Sequence, residues 1–195
     1  MPRRSETRTV VWRWIAPVIP YRVMSGVAAF NVRAVLSACR DMETAMADLY
    51  DLLAKIHTGV PYMAKLWSKT ANEERNHAAQ FALALDIANA AVKAVRVDIS
   101  TIERTLRAVH MLREACFAHP PTVEQALHAA IAFEEALVDL HADKIPIFAE
   151  ESHRKLFTAM MAADREHVGR LRRALAVGPS TPTPTPVPSY RSHRK

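Results

Sequence analysis

The chain has 195 residues, of which half are apolar and only 4 are glycine, and its net charge is +6. This length fits one domain with tails and allows a sizeable core. Much of the excess positive charge lies in the terminal stretches MPRRSETR and YRSHRK, which is typical of solvated ends, so we expect no nucleic-acid partner. Cys39 and Cys116 form no C-x-x-C pair, which argues against a thiolate metal site or a disulfide framework and favours the reducing cytoplasm.

Residues 1–26 are predicted to be an N-terminal extension outside the folded domain. The apolar stretch within it is interrupted by Arg13 and Arg22 and broken by two prolines, so it is too charged to span a membrane. We therefore expect no membrane association. Translation from Met24 is an alternative start that would omit most of this extension.

Residues 27–177 are predicted to form one helical domain, because helix-forming residues are abundant and no stretch alternates as a strand would. The first helix is expected from Val27 to His57, where Gly59 follows. The second is expected from Pro61, which suits an opening turn, to about Val95.

The third predicted helix is short and opens with a capping box from Ser100 to Glu103. The sequence TVEQ at 122–125 caps a fourth helix, which should kink or stop near Pro146, and a fifth is expected over 152–176. Four long helices with a long crossover that contains a short extra helix match the ferritin-like four-helix bundle. The Pro- and Thr-rich basic tail over 178–195 is expected to be disordered.

The apolar stripe of each long helix is interrupted by a carboxylate, and two of the stripes also carry a histidine three residues later. Buried carboxylates are costly unless they are paired or bind a metal. Carboxylate oxygen together with imidazole nitrogen suits iron or manganese. The residues concerned are Glu43, Glu74, His77, Glu134, Asp164 and His167.

An internal repeat supports the convergence of these residues. The stretch METAMADLYDLLAK at 42–55 parallels FEEALVDLHADKI at 133–145, and each is followed about 30 positions after its Glu by a carboxylate-x-x-His pair. Two similar helix pairs related by an approximate two-fold axis would present two half-sites to each other. The pattern therefore predicts a site for two metal ions.

At these residues the sequence resembles the rubrerythrin and bacterioferritin branch of the ferritin-like superfamily. The resemblance implies that each predicted ligand has a defined role and that a nearby tyrosine donates a hydrogen bond beside the metals. It makes Glu43 and Glu134 the terminal carboxylates, Glu74 and Asp164 the bridging ones, His77 and His167 the imidazole ligands, and Tyr50 the donor.

Three features depart from the rubrerythrin pattern. Asp164 is one methylene shorter than the usual Glu, so either a bridge with altered geometry or binding to only one metal is expected there. Leu137 stands where rubrerythrins have an extra Glu. The C-x-x-C pairs of a rubredoxin-type iron site do not occur in the sequence, so an external electron donor is expected.

The resemblance implies a di-iron oxidoreductase that oxidises Fe(II) with dioxygen or hydrogen peroxide, as a peroxide-detoxifying enzyme or a ferroxidase. Two iron ions are the expected cofactor, with manganese as the alternative metal, and a homo-oligomer, dimer or larger, is the expected assembly. Two other functions stay open: an iron-binding, storage or iron-handling protein without turnover, and a helical interaction module whose metal site has decayed.

Three further glutamates stand next to the expected ligands. Glu73, Glu135 and Glu166 are rotated by about 100° from them on a helix, so they are predicted to be surface residues.

Overall fold

The computed structural model describes the backbone of residues 32–95, 99–141, 146–148 and 151–178. Within these ranges the chain forms five helices and two short strands. They are α1 (Val32–Ile56), α2 (Pro61–Ala91), β1 (Val92–Val95), α3 (Ile99–Ala118), α4 (Val123–His141), β2 (Pro146–Phe148) and α5 (Glu151–Val177). The predicted extension over 1–26 and the tail after Gly178 lie outside the described residues.

The first two helices follow the apolar periodicity of the sequence. Apolar residues of α1 recur every three or four positions, which places them on one buried face. A short turn then leads to Pro61, the first residue of α2, where the missing backbone N–H costs nothing. The Ala64 N–H donates to the Val60 carbonyl at 3.0 Å and starts the ladder of that helix.

The capping box predicted for α4 is confirmed. The Thr122 N–H donates to Gln125 Oε1 at 2.9 Å, and the Gln125 N–H donates to the Thr122 hydroxyl at 3.2 Å. At the end of α5, Gly178 has a φ of 72° and its N–H donates to the Leu175 carbonyl at 3.2 Å. This left-handed conformation favours glycine and ends the helix.

The helices pack as two antiparallel pairs with α3 in the crossover. α1 packs against α2 and α3, α4 packs against α5, and α2 meets α5. The largest fully buried side chains include Trp67, Tyr50 and Phe81, which come from α1 and α2. The predicted all-α bundle with a short extra helix in the crossover is confirmed. Over the described ranges, none of the helices combines the length and the apolar character needed to cross a bilayer.

One local prediction is wrong. Residues Val92–Val95 leave the helix and pair antiparallel with Pro146–Phe148 as a two-stranded ribbon. Proline is tolerated there because it begins a strand at the edge of the ribbon. The described part of α3 begins at Ile99, and the Ser100 hydroxyl accepts a hydrogen bond from Arg104 Nη1 at 3.3 Å. The capping box from Ser100 to Glu103 stays a prediction.

Candidate metal site

Five of the six predicted ligands meet in the middle of the bundle, where α1, α2, α4 and α5 each contribute at least one of them. Their side chains are buried although all five are polar. The exposed fraction of each residue is 3% or less in the set Glu43, Glu74, His77, Glu134 and His167. Burial of so many titratable groups in one place is costly unless they neutralise one another or bind a cation.

The first group of potential ligands joins α1 and α2. His77 Nδ1 lies 3.1 Å from Glu74 Oε2, with which it forms a hydrogen bond, and 3.9 Å from Glu43 Oε2. One ligand atom from each of these three residues lies within 4.8 Å of the other two. These three residues would together hold one ion.

The second group joins α2 with α4 and α5. His167 Nδ1 lies 3.0 Å from Glu74 Oε1 and 3.7 Å from Glu134 Oε2, and the three ligand atoms again lie within 4.8 Å of one another. Glu74 therefore belongs to both groups, with one carboxylate oxygen toward each histidine. The two imidazole rings stack with centroids 5.4 Å apart. This arrangement suits two neighbouring ions that share one carboxylate.

The sixth predicted ligand, Asp164, lies on α5 one turn before His167, but its side chain is outside the described part of the structure. Its bridging role therefore stays a prediction.

The carboxylates and histidines shift one another's pKa values. Burial raises the pKa of Glu74, but His167 and His77 outweigh burial and hold that pKa well below its usual range. Burial and the charge of Glu74 together raise the pKa of Glu134. Burial lowers the pKa of His167, yet Glu134 and Glu74 reverse this effect and raise it to about 10. The site therefore favours positive charge between the carboxylates.

Tyr50 lies beside this site, as the resemblance implied. Its hydroxyl donates a hydrogen bond to Glu134 Oε1, and its ring stacks on Trp67 with centroids 5.7 Å apart and planes 9° apart. Burial, followed by the charge of Glu134, raises the pKa of the Tyr50 hydroxyl well above its usual value. Tyr50 therefore stays protonated and holds one oxygen of Glu134 in place.

The donor set fits iron or manganese. Three carboxylates and two imidazoles supply oxygen and nitrogen ligands, whereas the described cysteines, Cys39 and Cys116, are both buried with free thiols. Glu74 Oε1 and His167 Nδ1 are buried, and among the described residues neither atom makes an aligned hydrogen bond. Both atoms face the shared group, where a cation would satisfy them.

A family model described as rubrerythrin matches residues 35–175, which includes all six predicted ligands. The chain belongs to the rubrerythrin family. No match was found among curated proteins or among solved structures. Rubrerythrins are ferritin-like helical proteins that typically bind iron, which agrees with the bundle and with the two groups of metal ligands.

Glu135 and Glu166 lie at the surface as predicted, whereas Glu73 is only partly exposed and also contacts the candidate metal site. Glu73 Oε2 approaches His167 Nε2 at 3.2 Å, and the side chain is 25% exposed. Glu166 is exposed, and Glu135 accepts a hydrogen bond from Arg172 on the outside of the bundle. Glu73 is rotated away from the α2 ligands, but it faces α5. Only the packing of the two helices reveals this.

Proposed function

We propose that this rubrerythrin-family chain is a di-iron oxidoreductase that oxidises Fe(II) with dioxygen or hydrogen peroxide. The observation that carries the proposal is the sharing of Glu74 between two buried carboxylate and histidine groups. Two Fe(II) ions, when bound, supply the two electrons that reduce peroxide to water or dioxygen to peroxide. An external electron donor would return the ions to Fe(II).

The protein itself holds the ligand side chains in fixed positions in the buried interior of the bundle. His77 and His167 each direct Nδ1 toward Glu74, which leaves Nε2 on the far side of each ring. Tyr50 orients Glu134 through its hydroxyl. Phe81, one turn after His77, is fully buried and helps to exclude water from the bundle interior. Such preorganisation lets the ions bind without rebuilding the core.

The proposed ligands are Glu43, Glu74, His77, Glu134, Asp164 and His167, with Tyr50 as a hydrogen-bond donor to the site. Manganese is the alternative metal for the same donor set. A homo-oligomer and a cytoplasmic location are part of the proposal. The experiments below distinguish the proposed oxidoreductase from the two alternative functions, a non-catalytic iron protein and an interaction module with a decayed metal site.

Metal content decides first between these functions. Protein purified from iron-supplied cells should contain two iron or manganese ions per chain, and the His77→Ala, His167→Ala double variant should contain far less, because each histidine is the only nitrogen ligand of its described group. Elemental analysis measures both. Full occupancy of the double variant would disprove the ligand assignment, and a metal-free wild type would favour the decayed module.

Reaction with an oxidant separates the enzyme from a storage protein. Anaerobic diferrous protein mixed with dioxygen or with hydrogen peroxide in a stopped-flow instrument should be oxidised by both, and an electron donor should then restore Fe(II) over repeated cycles. Iron that is oxidised once and retained without further turnover would favour storage or iron handling.

Leu137 bears on the preferred oxidant. It lies three residues after Glu134 and is only 2% exposed, and it stands where the rubrerythrin pattern has an extra carboxylate that the resemblance links to fast reaction with peroxide. Leucine has no ligand atom, so we expect no strong preference for peroxide. Leu137→Glu should shift the ratio of the two rates toward peroxide. Val138→Glu, rotated by about 100° on the same helix, is the control and should leave the ratio unchanged.

A further inference from the structure

Glu73 is surrounded by three cationic or potentially cationic side chains from two helices. Its Oε2 lies 3.2 Å from His167 Nε2 and accepts a hydrogen bond from Arg170 Nη2. Lys69 Nζ, one turn earlier on α2, lies 3.7 Å from Oε1. Arg170 also donates to Glu166 Oε1 at 2.9 Å. Arg170 thus holds Glu73 against the side of His167 that points away from Glu74.

The two nitrogens of His167 have different surroundings. Nδ1 faces Glu74 and Glu134, whereas Nε2 faces Glu73. Among the described residues neither nitrogen is aligned for a hydrogen bond as the ring stands, but 3.2 Å is short enough for one after a small rotation. A carboxylate at Nε2 favours hydrogen on that nitrogen, which leaves the Nδ1 lone pair for a metal and makes it more basic.

We infer that Glu73 is a positioning residue, which sets the tautomer and orientation of His167 for metal binding through the contact at Nε2. This inference rests on the proposed metal site, and it adds a residue that does not itself bind the ion. Arg170 takes part by fixing the carboxylate of Glu73.

A second interhelical Glu–Arg pair shows what an ordinary surface contact looks like here. Arg172 Nη2 donates to Glu135 Oε1 at 2.6 Å and links α4 to α5 as Arg170 links α2 to α5. The side chains of Glu135 and Arg172 are 44% and 64% exposed, against 25% and 12% for Glu73 and Arg170. The position that corresponds to Glu73 in the internal repeat is Ala163, which has no carboxylate, so the repeat alone does not require an acid there.

The experiment compares Glu73→Ala and Glu73→Gln with the control Glu135→Ala in the full-length chain. Manganese affinity is measured from the free Mn²⁺ signal in electron paramagnetic resonance, and helicity by circular dichroism. We expect Glu73→Ala to weaken the binding of at least one ion by about ten- to hundredfold. Glu73→Gln retains an acceptor without the charge and should lie between Glu73→Ala and wild type, while Glu135→Ala should match wild type.

A second measurement responds to positioning and not to general stability. In Zn²⁺-loaded protein the His167 Nε2–H proton resonance should lie far downfield in wild type and in Glu135→Ala, because a carboxylate accepts its hydrogen bond. It should move upfield in Glu73→Ala and by less in Glu73→Gln.

The outcomes are distinct. Wild-type affinity and an unmoved resonance in folded Glu73→Ala would overturn the role of Glu73 and leave the metal site intact. If Glu73→Ala does not fold, Glu73→Gln decides by the same two measurements. A wild type that binds no Mn²⁺ would overturn the proposed function, and the role of Glu73 with it.

Discussion

Two buried histidines, His57 at one end of the bundle and His167 in its middle, have opposite electrostatic surroundings. Both are at most 3% exposed. The His57 Nε2–H donates to the Pro121 carbonyl at 3.2 Å, and the ring lies 6.3 Å from that of Trp67. Burial lowers the pKa of His57 in spite of its backbone hydrogen bonds, whereas two carboxylates raise that of His167.

The difference shows that burial alone does not identify a functional histidine. At the apolar end, His57 is a neutral packing residue whose hydrogen bond to a carbonyl fixes its tautomer. In the polar middle, His167 lies among carboxylates that would repel one another without a positive charge between them. We therefore expect changes at the apolar end to alter mainly stability and changes in the middle to alter mainly metal binding.

The largest expected effect on stability comes from Trp67. Trp67→Ala removes a fully buried ring that packs on Tyr50, and it should lower the free energy of unfolding by about 3–5 kcal/mol. Urea unfolding of metal-free protein measures this change. Leu83→Ala, at a position on the same helix that is 48% exposed, is the control and should change it by no more than about 0.5 kcal/mol. A similar loss of unfolding free energy in Trp67→Ala and Leu83→Ala would show that the buried ring contributes no more to stability than an exposed side chain.

The next largest effect concerns the polar middle. Metal that binds only the folded chain should stabilise it by about 2.7 kcal/mol for one ion at a hundred times its Kd. Glu74→Gln should abolish most of this gain, because Glu74 belongs to both groups of ligands. Thermal melting with and without Mn²⁺ measures it. An equal rise of Tm in wild type and variant would show that the metal binds elsewhere.

A smaller effect is expected at Tyr50, where the two regions meet. Tyr50→Phe leaves buried Glu134 Oε1 without its hydrogen bond, which should cost about 1–3 kcal/mol in metal-free protein. Tyr62→Phe makes the same chemical change at an exposed tyrosine and should be silent in urea unfolding. Equal stability of the two variants would show that the Tyr50 hydroxyl contributes nothing to the fold.

The smallest effect concerns the pH dependence that His57 contributes. Its pKa in the folded state is below the ordinary value of 6.5, so the unfolded state binds more protons as the pH falls through 6.5. This contribution to stability is present at higher pH and is lost on acidification. His57→Gln should remove it, so the free energy of unfolding of wild type relative to His57→Gln should fall between pH 7.5 and 5.5 in urea unfolding of metal-free protein. His128→Gln, at an exposed histidine, is the control. A parallel profile in wild type and His57→Gln would contradict the neutral assignment.

Much of the fold and of the candidate site follows from local periodicity. Residues three or four apart share a helix face, so the spacing of Glu74 and His77 places both on the buried stripe of α2. The cap formed by Thr122 and Gln125 is equally local, because both partners lie within four residues. The internal repeat predicts in addition that the two helix pairs, which are far apart in the sequence, face each other.

The features that the sequence did not reveal depend on how separate helices pack. Glu73 is next to a ligand in sequence, but its contact with His167 depends on how α2 lies against α5. Val92–Val95 follow a helix directly, and they form a strand because Pro146–Phe148 pair with them from a distant part of the chain. The residues near Glu73 and near Val92–Val95 in the sequence do not indicate either of these contacts.

The two-stranded ribbon also has a consequence for the order of folding. It pairs residues that are roughly fifty positions apart, whereas α1 and α2 are joined by a short turn. Contacts between distant positions form slowly, because a long loop must close first. We expect the helix hairpins to form early and the ribbon to close late. The metal ligands come from both helix hairpins, so a refolding chain can bind metal only after the two hairpins have packed together. The time at which metal binding appears would therefore show when this last step of folding is complete.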